Sequence, residues 1–227
     1  DDPDSVARLT VYNAAMEQTL SWNLTSAEGT PLRMEFSPDS RRIAVAAVTA
    51  NGGQLTTNLY VLGIRQGDPV NVGTEASIPQ WLGWLSNDTL LCIYETRAVL
   101  YNAGGGEKAS YDLSGSTLVS VSADPNGAAL LLENGQLCTA VVLDKNLGVQ
   151  YSSGVSTANR IVRDGSTFYL LTDSTVECFS SRDGYQWSLP LDARPQALLA
   201  SGKRLLVFSG NTVQALSAPD AAASGAQ

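Results

Sequence analysis

The chain has 227 residues, 44% of them apolar and 16% charged, so it is long enough and apolar enough to bury a sizeable core. The formal net charge is −8 and no run of basic residues exceeds Arg41-Arg42, which excludes the electrostatic footprint of a nucleic-acid-binding protein. The chain contains no histidine, which removes Ser-His-Asp and Cys-His nucleophiles and the usual zinc sites.

The N-terminal part of the chain changes character at Arg8. Residues 1–7 are mostly polar, and we predict a disordered segment or linker there. Two alternating strands follow, RLTVYN from Arg8 and QTLSWNLT from Gln18. They match the third and fourth strands of the repeat described next, so we expect the chain to start partway through a repeating unit.

A turn of polar or glycine residues followed by a short apolar strand recurs along the chain. Successive turns are 48, 39, 38 and 38 residues apart. The one long interval contains the polar insert Thr49–Thr57, which we interpret as an extended hairpin loop. The five copies are PDSRRIAVAA from Pro38, SNDTLLCIY from Ser86, PNGAALLLEN from Pro125, DGSTFYLLTD from Asp164 and SGKRLLVFSG from Ser201.

Each period divides into four short strands joined by turns rich in Gly, Asn and Asp. Four antiparallel strands at a period of roughly 40 residues are the unit of a propeller blade. The sequence therefore predicts an all-β fold, a β-propeller of about five four-stranded blades over residues 8–217. A sandwich or two small barrels are the alternatives, but neither demands a constant four-strand period. Residues 218–227 are small and polar, and we predict a disordered tail.

The last period ends after its third strand, TVQALS, which leaves an edge for another strand to pair with. We expect QTLSWNLT to supply that fourth strand and close the ring. This pairing leaves RLTVYN without a place, so the alternative is an N-terminally truncated larger propeller. In that case QTLSWNLT stays beside Thr30–Ala47 and the terminal edge remains bare.

The three cysteines, Cys92, Cys138 and Cys178, lie far apart in apolar runs of three different periods. This spacing does not fit a disulfide framework or a metal cluster. We predict three reduced thiols that are at least partly buried. We also predict no metal site and no cofactor.

Candidate ligand-binding residues lie on the first strand of a period, which lines the central channel of a propeller. Glu35 is the only carboxylate within these strands, whereas glycoside hydrolysis needs two. Trp81 and Trp84 lie on one such strand at odd spacing and face opposite sides, so one of them is a candidate ligand platform at the channel mouth. The remaining residues with polar or aromatic chemistry are predicted to be structural: Asp39, Asp124 and Asp164 as turn residues, and Trp22 and Trp187 as packing between blades.

Several segments resemble known families. FSPDSRRIAVAA (from Phe36) and SADPNGAALLL (from Ser122) resemble the strand–turn–strand signature of WD-repeat and TolB-like propellers. WLSNDTLLCIYETRAVLYNAGGGEKASYDL (from Trp84) and DGSTFYLLTDSTVECFSSRDGYQWSL (from Asp164) resemble an uncharacterised family of Gram-positive gut bacteria, domain of unknown function 5711. That resemblance implies a propeller held outside the cell by an N-terminal membrane helix, and it assigns a role to no residue.

These observations lead to one main functional expectation. We expect a monomeric, non-enzymatic interaction module on the extracytoplasmic face of a bacterial membrane, with a protein or a cell-wall glycan as its partner and no nucleic acid. Membrane attachment would come only from an anchor upstream of this chain. The alternatives are a glycan hydrolase with its site at the central channel, or an intracellular scaffold in the cytoplasm.

Overall fold

A computed structural model describes residues 4–65, 67–155, 157–202 and 204–219. None of these residues is helical, and they form 21 strands, as predicted. The strands are β1 Ser5–Tyr12, β2 Gln18–Thr25, β3 Thr30–Phe36, β4 Arg42–Asn51, β5 Gln54–Gly63, β6 Val70–Glu75, β7 Trp81–Ser86, β8 Thr89–Ile93, β9 Arg97–Asn102, β10 Glu107–Asp112, β11 Thr117–Asp124, β12 Gly127–Asn134, β13 Leu137–Asp144, β14 Val149–Val155, β15 Arg160–Asp164, β16 Thr167–Leu171, β17 Thr175–Ser180, β18 Gly184–Pro190, β19 Ala197–Ser201, β20 Arg204–Ser209 and β21 Thr212–Ser217.

The strands form six antiparallel sheets in which neighbours in the sheet are also neighbours in the chain. We number them in chain order: sheet 1 is β1–β2, sheet 2 is β3–β6, sheet 3 is β7–β10, sheet 4 is β11–β14, sheet 5 is β15–β18 and sheet 6 is β19–β21. The chain divides into two compact units, Asp1–Ser114 with sheets 1 to 3 and Gly115–Gln227 with sheets 4 to 6. The first strand begins at Ser5, three residues before the predicted start of the propeller domain. Residues 1–3 and 220–227, parts of the predicted linker and tail, lie outside the described residues.

The insert Thr49–Thr57 is strand for most of its length. β4 and β5 are each ten residues long and pair without a break as far as Asn51 and Gln54. Only Gly52 and Gly53 remain as the turn, with φ of 59° and 84°. Two residues with positive φ match the twist of the flanking strands, and glycine adopts this conformation without a steric cost. The predicted extended loop is therefore a lengthened hairpin.

Sheets in the first unit pack face to face through apolar side chains. In β4, Ile43, Val45 and Ala47 pack with residues of sheet 1, whereas Ala44 and Ala46 pack with sheet 3. Successive side chains of a strand point to opposite faces, so a strand between two sheets is apolar at every position. This explains the uninterrupted apolar run that marks each period of the sequence.

The second unit repeats this arrangement. Ala129 and Leu131 of sheet 4 meet Phe168 and Leu170 of sheet 5, and the opposite face of sheet 5 packs against Leu205 and Val207 of sheet 6. The two tryptophans predicted to pack between sheets do so. Trp22 joins the cluster between sheets 1 and 2, with its ring 5.2 Å from that of Tyr60, and Trp187 joins the cluster between sheets 5 and 6.

The predicted pairing of QTLSWNLT with TVQALS is wrong. Those segments are β2 and β21. Among the described residues β2 pairs with β1, and β21 is the last strand of a three-stranded sheet. Asn13 closes the turn between β1 and β2, because its side-chain oxygen accepts the N–H groups of Ala15 and Glu17 at 2.9 Å. This short local hairpin holds β2 in place, while Trp22 and Leu24 pack on sheet 2. β2 therefore packs face to face on sheet 2 and, within the described residues, pairs with none of its strands.

The three free cysteines lie in β8, β13 and β17, in three different sheets, and all are buried or half-buried as predicted.

Burial raises the pKa of Cys92 to about 12 and that of Cys178 to about 11, so both remain protonated thiols at pH 8. The thiolate is the reactive form, and Cys138 is only half-buried. We therefore expect iodoacetamide at pH 8 to modify Cys138 first in the native protein, as measured by mass spectrometry. Modification of Cys92 or Cys178 as fast as Cys138 would contradict this prediction.

Candidate functional site

The structure brings Glu35 and Trp84, two of the three predicted ligand-binding residues, into contact. Trp84 contacts the main chain of Glu35 and not its carboxylate. Glu35 lies on β3 and Trp84 on β7, the first strands of sheets 2 and 3. The indole Nε1 of Trp84 donates to the main-chain oxygen of Glu35 at 3.0 Å. The Trp84 ring also packs against the core cluster between these sheets. Its contacts are those of a residue that ties two sheets together.

The Glu35 side chain is exposed, and its carboxylate makes no hydrogen bond or ion pair within the described residues. Trp81 is not part of the cluster that holds Trp84. Its ring lies against Gly83, on the other face of β7. A methyl group on Gly83 would come 2.2 Å from the ring of Trp81, so glycine makes room for the indole. The two tryptophans therefore face opposite sides, as their odd spacing predicted. Glu35, Trp81 and Trp84 line neither the groove around Arg163 nor the one around Arg41.

A different feature of β3 is more informative. Leu32, Met34 and Phe36, here called the β3 stripe, are apolar side chains that are 51%, 50% and 47% exposed. Met34 and Phe36 share one face of the sheet, whereas Leu32 lies at a break in the register between Pro31 and Arg33. Met34 is paired with Val45 and Phe36 with Ile43 on the same face of sheet 2. Those two partners are 0% and 3% exposed. One half of this face is therefore core and the other half meets solvent.

The composition of sheet 1 explains the contrast. Its two strands place Val11, Trp22 and Leu24 against β4 and β5, whereas β1 approaches β3 without covering Met34 and Phe36. Within the described residues β1 pairs with β2 alone, so its other edge has no strand partner. The alternating pattern of LRMEF predicts an apolar face, but not that this face is uncovered. Exposure depends on the neighbouring sheet, so no signal within β3 itself could have revealed it.

The aspartates predicted to be turn residues also link neighbouring sheets, which the sequence did not reveal. In the second unit the N–H of Gly165 donates to Asp124 at 2.8 Å, and the N–H of Gly202 donates to Asp164 at 2.8 Å. Each bond joins the turn at the end of one sheet's first strand to the equivalent turn of the next sheet. In the first unit the direction is reversed, because the main-chain N–H of Asp39 donates to Asn87 Oδ1 at 3.1 Å, while the Asp39 carboxylate accepts from Ser37 and Arg41 within its own turn. These aspartates therefore have structural roles.

The described residues contain no group of three or more acidic or cysteine side chains placed to bind a metal ion. They also contain no helix long and apolar enough to cross a membrane.

No family model and no curated protein matches this chain. Its fold, however, matches solved structures over most of its length. A eukaryotic initiation factor is matched at a TM-score of 0.65 and 12% identity, covering 92% of this chain and 57% of that one. Saccharomyces cerevisiae Sqt1 is matched at 0.65 and 10%, covering 94% and 66%. The WD40 domain of Neurospora crassa Pan2 is matched at 0.59 and 11%, covering 89% and 66%.

This chain thus spans slightly less than two thirds of the length of these structures. Identities of 10–12% establish the fold and nothing further. WD40 repeats form propeller blades of four-stranded sheets. With four complete four-stranded sheets and two partial ones among its described residues, the chain has the fold of a WD40-like β-propeller of about five blades.

Proposed function

We propose that this propeller is a non-enzymatic interaction module that binds a separate protein, and that the partner docks on the β3 stripe. The observation that carries the proposal is the exposure of Met34 and Phe36 beside the buried Val45 and Ile43 of the same sheet face, with the exposed Leu32 next to them in the strand. A contiguous apolar patch next to a core is typical of a protein-binding surface. The β3 stripe lies next to the core cluster between sheets 1 and 2. A partner bound to the stripe would therefore enlarge that core.

The chemistry of the partner follows from the strands that surround the stripe. The free edge of β1 offers unpaired N–H and C=O groups, which can pair with an added strand. Strands lie about 4.8 Å apart, so a two-stranded hairpin added to β1 would extend sheet 1 towards β3. We propose that the partner presents a β-hairpin with one apolar face.

Placing a charge in the stripe is expected to weaken partner binding at least about tenfold, because an apolar interface would have to bury an unpaired carboxylate. The variant is Met34→Asp, and its matched control is Leu137→Asp at a 74% exposed leucine of the second unit. The partner is first identified by a photoreactive amino acid at position 34, compared with the same group at Gln186. Binding of the purified partner is then measured by calorimetry. Both side chains replaced by aspartate are at least half-exposed, so we expect little change in stability.

Equal binding by the two aspartate variants would show that the stripe is not the site. Crosslinking at position 34 only to a second copy of this chain would replace the proposed partner by self-association. Crosslinking at position 34 only within the same chain would show that the stripe is covered internally, and would also overturn the proposal.

We further propose that the protein belongs to the domain of unknown function 5711 family and acts on the extracytoplasmic face of a bacterial membrane, held there by an anchor outside these residues. The resemblance of the segments from Trp84 and Asp164 supports this placement. An acidic surface of net charge −8 is repelled by anionic lipid, so contact with the membrane would depend on the anchor. Digestion of the protein by protease added to intact cells would support the placement, and full protection would contradict it.

A further inference from the structure

Arg163 on β15 is a buried cation whose guanidinium is only partly used by the protein. Its side chain is 2% exposed, and its Nε lies 3.2 Å from Asp124 Oδ1. Nε also donates to the oxygen of Gly165 at 3.1 Å, and Nη1 donates to the oxygens of Ala128 at 3.1 Å and Leu143 at 2.6 Å. Three carbonyls and one carboxylate from sheets 4 and 5 thus hold the guanidinium in one orientation.

The second terminal nitrogen, Nη2, makes no hydrogen bond within the described residues. Among the described residues, Gln80 Oε1 is the side-chain atom that is both enclosed and without a hydrogen-bond partner. Nη2 has no partner but is not enclosed, so it is in contact with solvent. The rest of the guanidinium is engaged by the protein, so these two N–H groups are held in one orientation and are free to donate to water or to a ligand.

Arg163 lines a groove of about 640 Å³ in the second unit. This is the size of a small-ligand or peptide side-chain site. The groove lies where the turns of sheets 4 and 5 meet. Its other lining residues are Asn126, Gln150, Gly165, Ser166, Ser180, Ser181, Arg182 and Asp183.

The groove is rich in hydrogen-bond donors, and one of its two arginines has no carboxylate partner among the described residues. Arg182 is exposed at the rim and makes no ion pair within the described residues. Asp183 accepts a hydrogen bond from Ser180 at 3.1 Å, and Asp124 neutralises Arg163. Arg182 is thus the one arginine of the lining with no carboxylate partner among the described residues, which suits a single negative charge better than a dianion such as phosphate. A single carboxylate, which accepts from guanidinium and amide N–H groups, is the better match.

We infer that this groove binds the carboxylate of an acidic side chain on a partner polypeptide, with Arg163 Nη2 and Arg182 as its donors. The lining contains no aromatic ring on which a sugar could stack, which favours a peptide over an acidic glycan. The site lies in the second unit, whereas the β3 stripe lies in the first, so the inference does not depend on the proposed function.

The test uses the whole chain and a blocked tripeptide, acetyl-Gly-Asp-Gly-amide, with its asparagine analogue as the neutral control. We expect saturable NMR shifts at Asn126, Arg163 and Arg182 with the aspartate peptide, and binding at least about tenfold weaker with the asparagine analogue. Arg182→Gln should weaken binding of the aspartate peptide by a similar factor. Arg160→Gln removes an equal charge from an exposed position of β15 outside the groove, and should have no effect.

A second variant, Arg163→Lys, keeps the charge but removes the guanidinium donors, so it should lose binding while its β-sheet circular dichroism is retained. If that variant fails to fold, the comparison of Arg182→Gln with Arg160→Gln still decides the question. Equal binding of the two peptides, or equal effects of the Arg182 and Arg160 variants, would overturn the inference. Tighter binding of inorganic phosphate or glucuronate than of the aspartate peptide would overturn the assignment to a peptide carboxylate.

Discussion

Replacing Asp124 by alanine is expected to lower the free energy of unfolding of the Gly115–Gln227 unit by about 3–5 kcal/mol, because it leaves a buried charge without its partner. Asp124 is 18% exposed and Arg163 is 2% exposed. Burial lowers the pKa of the Arg163 guanidinium, and the carboxylate of Asp124 opposes that shift. An arginine does not lose its proton in a protein, so in the variant the charge would remain buried and unpaired.

The matched control is Asp164→Ala, at the equivalent turn of sheet 5. Asp164 accepts the N–H of Gly202 at 2.8 Å, just as Asp124 accepts that of Gly165, but it has no ion pair within the described residues. Loss of such a hydrogen bond alone should cost about 1 kcal/mol. Urea denaturation followed by circular dichroism measures both variants. Equal losses would show that the link between turns, and not the ion pair, supplies the stability.

Replacing Gly127 by alanine is expected to cost about 4 kcal/mol, since strained backbone and a direct clash add together. Gly127 opens β12 with a φ of +138°, a conformation that residues with a side chain rarely adopt. Its added methyl carbon would lie 2.1 Å from the oxygen of Leu143 and 2.6 Å from the carbonyl carbon of Asp144. These are main-chain atoms, so they cannot rotate away. The oxygen of Leu143 also accepts from Arg163, so its displacement would disturb the buried guanidinium.

Gly202→Ala separates the two contributions. Gly202 also has a positive φ, of +57°, but a methyl group there would meet nothing within 4 Å. Only the backbone cost of about 1–2 kcal/mol should remain. The difference between the two urea midpoints would measure the clash at Gly127. If both variants lost the same stability, the close approach to Leu143 would be relieved by a local shift and the prediction would be wrong.

The strands and turns could be predicted from the sequence because their causes are local. An apolar run such as AALLL in β12, next to a turn containing Asn126 and Gly127, is a strand whatever surrounds it. The recurrence of that pattern also predicts repeated sheets, and the sheets are observed. The pairing of QTLSWNLT failed because a strand pattern does not say which of two equivalent edges a strand will occupy. The turn held by Asn13 decided it.

The candidate sites depended on contacts between repeats. Asp124 and Arg163 are 39 residues apart in the chain, and each has an ordinary explanation within its own segment. Only the packing of β15 against β11 brings them to 3.2 Å and places Arg163 in the lining of a groove. In the same way, the exposure of Met34 depends on how many strands sheet 1 contains. The alternation of polar and apolar residues thus determined which residues form strands, whereas burial and charge pairing were decided by the neighbouring sheet, because they depend on atoms that are distant in the chain.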